Sequence, residues 1–191
     1  MVINYISILP CVAFAGVMSL SVSCNSVLTV PAGASPAAAL LHQLATFYGH
    51  ICAGSIFGAR LGFAASEALK NKGATGGFRA RYYDLTCPVD DPHPGGITSC
   101  GNNSMAVRNR GEHRLVLTSD VAKCAVEARL TRKAEEMGIR SRNLVERIHA
   151  LPSGAAERLA LEKKVEEIYT WLGTAPAEDV VLITLLDEHK D

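Results

Sequence analysis

The sequence predicts an α+β fold in a single domain: two N-terminal helices, a mostly antiparallel sheet, and a C-terminal helix followed by a strand. Three observations lead there. The chain has 191 residues, 48% of them hydrophobic, which is enough for one core and too little for several. Apolar stripes of helical period stand near both ends, at Leu40, Leu41 and Leu44 and again at Leu161, Val165, Ile168 and Leu172. Between them lie short runs rich in Val, Leu, Tyr and Phe, of strand length and bounded by turn residues.

Each element has its own signal. Ser35-Pro36 opens a helix with Pro at its first position, and the helix continues from Ala37 to about Phe47. Gly49 to Ala53 interrupts the pattern. A second helix follows from about Gly54 to Lys70, with Ile56, Leu61, Ala64, Ala65 and Leu69 available to the core, and Gly73, Gly76 and Gly77 end it. Strands are expected over Phe78–Leu85, Met105–Val107, Arg114–Thr118 and Cys124–Ala128. The basic stretch from Arg129 to Arg147 reads as helix broken around Gly138, and its interspersed glutamates make it a solvated face. The clearest helix comes last, capped by Ser153 and closed by Gly173 as its C′ residue. Pro176 stops it, and Val180 to Leu186 forms the final strand.

Composition excludes several classes. Nineteen basic residues balance nineteen acidic ones, so the electrostatic footprint of a general nucleic-acid binder is missing. Six cysteines without a CxxC pair do not make a disulfide scaffold. No G-x-x-x-x-G-K-[ST], G-x-S-x-G or H-E-x-x-H occurs, which argues against the common nucleotide, serine-hydrolase and zinc-protease classes.

The chain divides at about residue 34. Residues 1–34 are apolar, and the first formal charge of the whole sequence is Arg60. Two readings of this segment stand: a signal or membrane segment over residues 3–30, or an extra core element. The run lacks basic residues at its start and is interrupted by Asn4, Pro10 and Asn25. The expected location is cytoplasmic, with export or membrane attachment as the alternative. Residues 35–191 form the domain that carries the chemistry.

Two segments of that domain are chemically informative. In Phe47-Tyr48-Gly49-His50-Ile51-Cys52-Ala53-Gly54, His50 and Cys52 lie in a glycine-flanked turn directly before a helix. The positive end of that helix favours an anion, so the Cys52 sulfur is expected to tend toward thiolate. In the second segment, Cys87-Pro88-Val89-Asp90 is followed by His93 and then by Ser99-Cys100-Gly101-Asn102-Asn103. Cys, His and Asp are the donors that a borderline-soft divalent ion takes, zinc above all and iron as the second choice. The candidate metal ligands are His50, Cys52, Cys87, Cys100, Asp90 and His93. Their spacing matches no compact zinc finger, so such a site must be assembled across the fold.

These residues resemble a known family. Phe47, Gly49, His50, Cys52, Gly54, Gly58 and Arg60 are similar to the signature F-H-G-H-x-C-P-G-x-x-x-G-x-R of FmdE, a family of formylmethanofuran dehydrogenase subunits. Cys87-Pro88-Val89-Asp90 resembles its C-x-x-D element, and Thr98-Ser99-Cys100-Gly101 resembles its T-G-C-T segment. The resemblance spans about Ala37 to Arg129. It implies an α+β domain, frequently a homodimer, with a Cys/His site that holds a metal such as zinc. It further implies a link to one-carbon metabolism and to molybdenum or tungsten enzymes. Tyr48 stands where the signature has its first His, Ala53 where it has Pro, and Ser55 where it has Leu. Glu112 replaces the lysine after Gly111. By position, His93 can supply the missing imidazole, and Tyr48 can act as an acid in its stead.

Three functional readings follow. The first is a metal-binding protein with an open position that activates water or binds a small substrate. The second is a metal-free thiol enzyme, with Cys52 as nucleophile and His50 as base. In it the loop of Gly101, Asn102 and Asn103 donates N–H bonds to a cofactor or a developing anion. The third is a non-catalytic, metal-carrying accessory of a redox complex. Cys124 alternates with apolar residues and reads as core. His42, His113, His149 and His189 read as isolated, with surface or capping roles.

Overall fold

A run of small and apolar residues such as Ala53 to Lys70 can be buried on almost every side, and it forms the central helix of the fold. The structure is a computed structural model that describes residues 41–46, 49–85 and 103–186. A helical segment, α1 (41–46), precedes α2 (Ala53–Lys70). Then come β1 (Phe78–Tyr82), β2 (Met105–Val107), β3 (Arg114–Ser119) and β4 (Cys124–Leu130). The chain closes with α3 (Arg132–His149), α4 (Ala156–Thr174), the one-turn α5 (Ala177–Val180) and β5 (Val181–Leu186).

The five strands form one sheet in the order β2-β1-β3-β4-β5. Every pairing is antiparallel except β1 with β2, which is parallel. The register aligns Ala80, Leu117, Val126 and Leu185 in one row and Tyr82, Leu115, Ala128 and Ile183 in the next. With a side-chain period of two, these rows share a face. On it α2 packs against β3 and β4. Ile56, Leu61, Leu69, Val126 and Leu172 are wholly buried in the shared core. The opposite face carries Arg81, Val116, Glu127 and Thr184 in register. There Arg114 and Arg129 both reach Glu127, and Arg114 stacks 3.5 Å from the centre of the Tyr83 ring.

The α+β class and the mostly antiparallel sheet are as the sequence predicts, and four local readings change. First, α3 is one unbroken helix of 18 residues, and Gly138 lies buried in its middle. A Cβ at Gly138 would stand 2.6 Å and 2.8 Å from Phe57 ring atoms. The glycine therefore marks close helix packing, the second use of the residue that breaks helices elsewhere. Second, α4 begins after Ala155 with no side-chain cap, so Ser153 does not cap it. Third, Gly173 is inside α4, where a Cβ would meet Leu41 at 3.8 Å. Fourth, β1 stops at Tyr82 and β4 extends to Leu130. Cys124 is partly buried against the core, as its alternation predicts. Residues 1–34 lie outside the described residues. Among the described residues, no helix is long and apolar enough to cross a membrane.

Candidate functional site

The start of α2 is built by its own sequence. Cys52 is the N-cap, in extended conformation at φ −142° and ψ 166°. The Ser55 N–H donates to Cys52 Sγ at 3.4 Å, and the Cys52 N–H donates to Ser55 Oγ at 3.1 Å. This is a reciprocal capping box in which sulfur stands in for the usual side-chain oxygen. The Ser55 hydroxyl also donates to the Cys52 carbonyl at 2.9 Å and is buried. Cys52 is thus fixed against the N–H groups and positive dipole end of an 18-residue helix. Gly49, at φ +72°, takes the chain through the preceding turn in a conformation that suits glycine, and His50 is exposed beside it.

Two elements remote in sequence close around this helix start. Tyr169, from α4, has its phenol pushed up by burial and by the neighbouring Cys52 sulfur. The Ser141 side chain and the Ala53 backbone offset part of that rise. Phe57, one turn into α2, meets Gly138 of α3 and lies 5.3 Å, ring centre to ring centre, from His113.

His113 is not isolated. Its Nδ1 lies 3.1 Å from Asp84 Oδ2 and 3.2 Å from the Tyr82 hydroxyl. The register makes this meeting possible, because Tyr82 pairs with Leu115 at the end of β1 and the start of β3. An imidazole held through Nδ1 by a carboxylate has a fixed ring orientation. The expectation of a surface or capping role for His113 is therefore corrected. Its signal in the sequence was weak, since Asp84 and His113 lie far apart and only the strand register joins them. Tyr169 was legible only as a flank of the α4 stripe.

Of the residues singled out from sequence, His50, Cys52 and Asn103 are among the described ones. His50 and Cys52 are neighbours at the α2 start, and Asn103 precedes β2 at a φ of 58°. Tyr48, Cys87, Asp90, His93, Cys100, Gly101 and Asn102 lie outside the described residues. Among the described residues, no group of three or more His, Cys, Asp or Glu side chains could hold a metal ion. What the described part contributes to a donor set is the pair His50 and Cys52, and sulfur with imidazole is a combination that zinc accepts.

A family model described as FmdE, molybdenum formylmethanofuran dehydrogenase operon, matches residues 47–182. The chain belongs to the FmdE family. No curated protein matches it. A solved FmdE-like protein of tungsten formylmethanofuran dehydrogenase, from Syntrophus aciditrophicus, is similar at 20% identity and a TM-score of 0.48. That match covers 76% of this chain and 69% of the other.

Set against the FmdE signature, the departures of this chain have local structural reasons. Ser55, in place of Leu, supplies the hydroxyl that closes the capping box with Cys52. Ala53, in place of Pro, keeps a backbone N–H at the first helical position, and that backbone faces Tyr169. The signature arginine, Arg60, binds the end of another helix. Its Nη1 donates to the Gly173 carbonyl at 3.3 Å, and its Nη2 donates to the Ala175 carbonyl. Orphan carbonyls at the C-terminal end of α4 thus gain a cationic donor, which is the favourable sign for that end. Burial lowers the Arg60 pKa, and the charge of Glu178 opposes that shift.

Proposed function

We propose that this FmdE-family protein binds a divalent metal, zinc before iron, at the start of α2. Cys52 is the central sulfur donor and His50 its neighbour, with Cys87, Cys100, Asp90 and His93 as the donors from the second segment. A bound ion with an open position supplies Lewis acidity, suited to activating water or holding a small substrate. The substrate class fits one-carbon chemistry linked to a molybdenum or tungsten enzyme, the setting that the family description names. The observation that carries this reading is the capping geometry, in which the Cys52 sulfur is held at a helix start by Ser55. The described donors number fewer than the three or four that zinc takes, so the reading depends on the second segment.

Elemental analysis of protein purified without chelator is the test. The expected result is about one zinc per chain, lost in Cys52→Ser and reduced in Cys87→Ser. Wild-type protein that carries no metal, and that binds none on dialysis against zinc, overturns the reading. In that case rapid alkylation confined to Cys52 would favour the thiol nucleophile instead.

A further inference from the structure

The two edges of the sheet are built differently. At one edge β2 has only three residues and is followed by Arg108 and Arg110, both exposed, so shortness and charge blunt it. At the other edge β5 has six residues, and Val180 to Leu186 contains no charge, no Pro and no Gly. One side of β5 is occupied by the β4 ladder, and no further strand of the sheet follows on the other. Four consecutive residues at its centre are exposed, with Leu182 at 55%, Ile183 at 39% and Leu185 at 53%. These side chains alternate between the two faces of the sheet, so both faces are apolar along this edge.

We infer that β5 is the interface for a second copy of this chain, paired antiparallel across a two-fold axis through Thr184. The strand itself selects this occupant and this register. A two-fold axis perpendicular to the sheet keeps each face continuous, so residues opposite one another must share a face. Centred on Thr184, Ile183 faces Leu185 of the second copy, Leu182 faces its Leu186, and Thr184 faces its own counterpart. Every apolar side chain meets an apolar one, the sole polar residue meets the same residue, and Thr–Thr pairs are favourable across strands. Centring on Ile183 instead would place Leu182 against Thr184. No charge has to be neutralised anywhere along the strand, so the sequence is complementary to itself.

Sedimentation equilibrium of the full chain tests the proposal, with Thr184→Cys as the register probe. Directly opposed residues stand about 4.5–5.5 Å apart between Cα atoms, within disulfide reach. Wild type is expected to sediment as a dimer. Mild oxidation of Thr184→Cys is expected to give a covalent dimer whose peptide map joins position 184 to position 184, with Ile183→Cys cross-linking far less. Leu182→Lys with Leu185→Lys is expected to sediment as a monomer while keeping the wild-type circular dichroism, because both side chains are exposed in the single chain. A monomeric wild type overturns the inference. So does a dimer that survives the double lysine variant, or one in which position 184 fails to cross-link. Metal content reads the earlier proposal separately, since none of these substitutions touches Cys52 or His50.

Discussion

The start of α2 and the strand β5 use apolar side chains in opposite ways. Around α2, Phe57 is almost fully buried, Ala53 and Ser55 are buried with it, and Gly138 approaches so closely that nothing larger fits. Along β5, leucines and an isoleucine stand in solvent on a strand that has a neighbour on one side only. The difference teaches where this sequence determines a unique arrangement. A site that must hold a sulfur atom in place is fixed by several elements at once, whereas the edge is specified by alternation alone.

The sharpest way to break that contrast is Phe57→Ala. It removes the ring that joins α2 to Gly138 and His113, and the expected loss is about 3–5 kcal/mol of unfolding free energy by denaturant titration. Gly138→Ala ranks next. Helix propensity favours the alanine by about 1 kcal/mol, but the new methyl collides with the Phe57 ring, and overpacking of this kind costs about 1–3 kcal/mol. A net fall in Tm is expected, and Phe57→Leu in the same chain should relieve it. A rise in Tm for Gly138→Ala alone would show that the ring gives way freely.

Ser55→Ala has a smaller expected effect, about 1 kcal/mol, because it removes one side of the capping box and leaves the core intact. The same variant should raise the alkylation rate of Cys52 by freeing its backbone, which mass-spectrometric labelling would read. The smallest effect belongs to the open face of the sheet. Burial opposes ionisation of Glu127, but hydrogen bonds from Arg129 and Arg114 and their charges outweigh it and hold the carboxyl below its ordinary value. A lowered folded-state pKa contributes stability that is complete above the unfolded value of about 4.3 and is lost as pH falls through the folded one. Stability curves of wild type and Glu127→Gln should therefore differ at neutral pH and converge in acid. A constant gap down to the lowest pH would assign the effect to packing.

Much of the scaffold was legible because it rests on local pattern. The stripes of α2 and α4, the alternation in β3 and β4, and the turn at Gly49 can each be read within a dozen residues. The start of α2 was legible as a Cys before a helix, but the role of Ser55 was not, since a hydroxyl there departs from the signature and only coordinates show it facing back. Gly138 misled for a physical reason: glycine weakens a helix in solution and permits close contact in a core, and the sequence does not say which applies. Arg60 looked like part of the chemistry and instead binds the end of α4, a contact over more than a hundred residues that no local pattern announces. His113 and Tyr169 were missed on the same ground, because register and helix docking bring them in.

The Tyr82, Asp84 and His113 contacts have a practical consequence. Leu85 follows this clasp directly, and Cys87 comes two residues later in the sequence, so any event that pulls on the chain there changes the partners of one imidazole nitrogen. The ring thus serves as a resident spectroscopic probe: its ¹⁵N resonances, followed while zinc or a candidate small molecule is added, would register an occupant at the α2 end without any label being introduced.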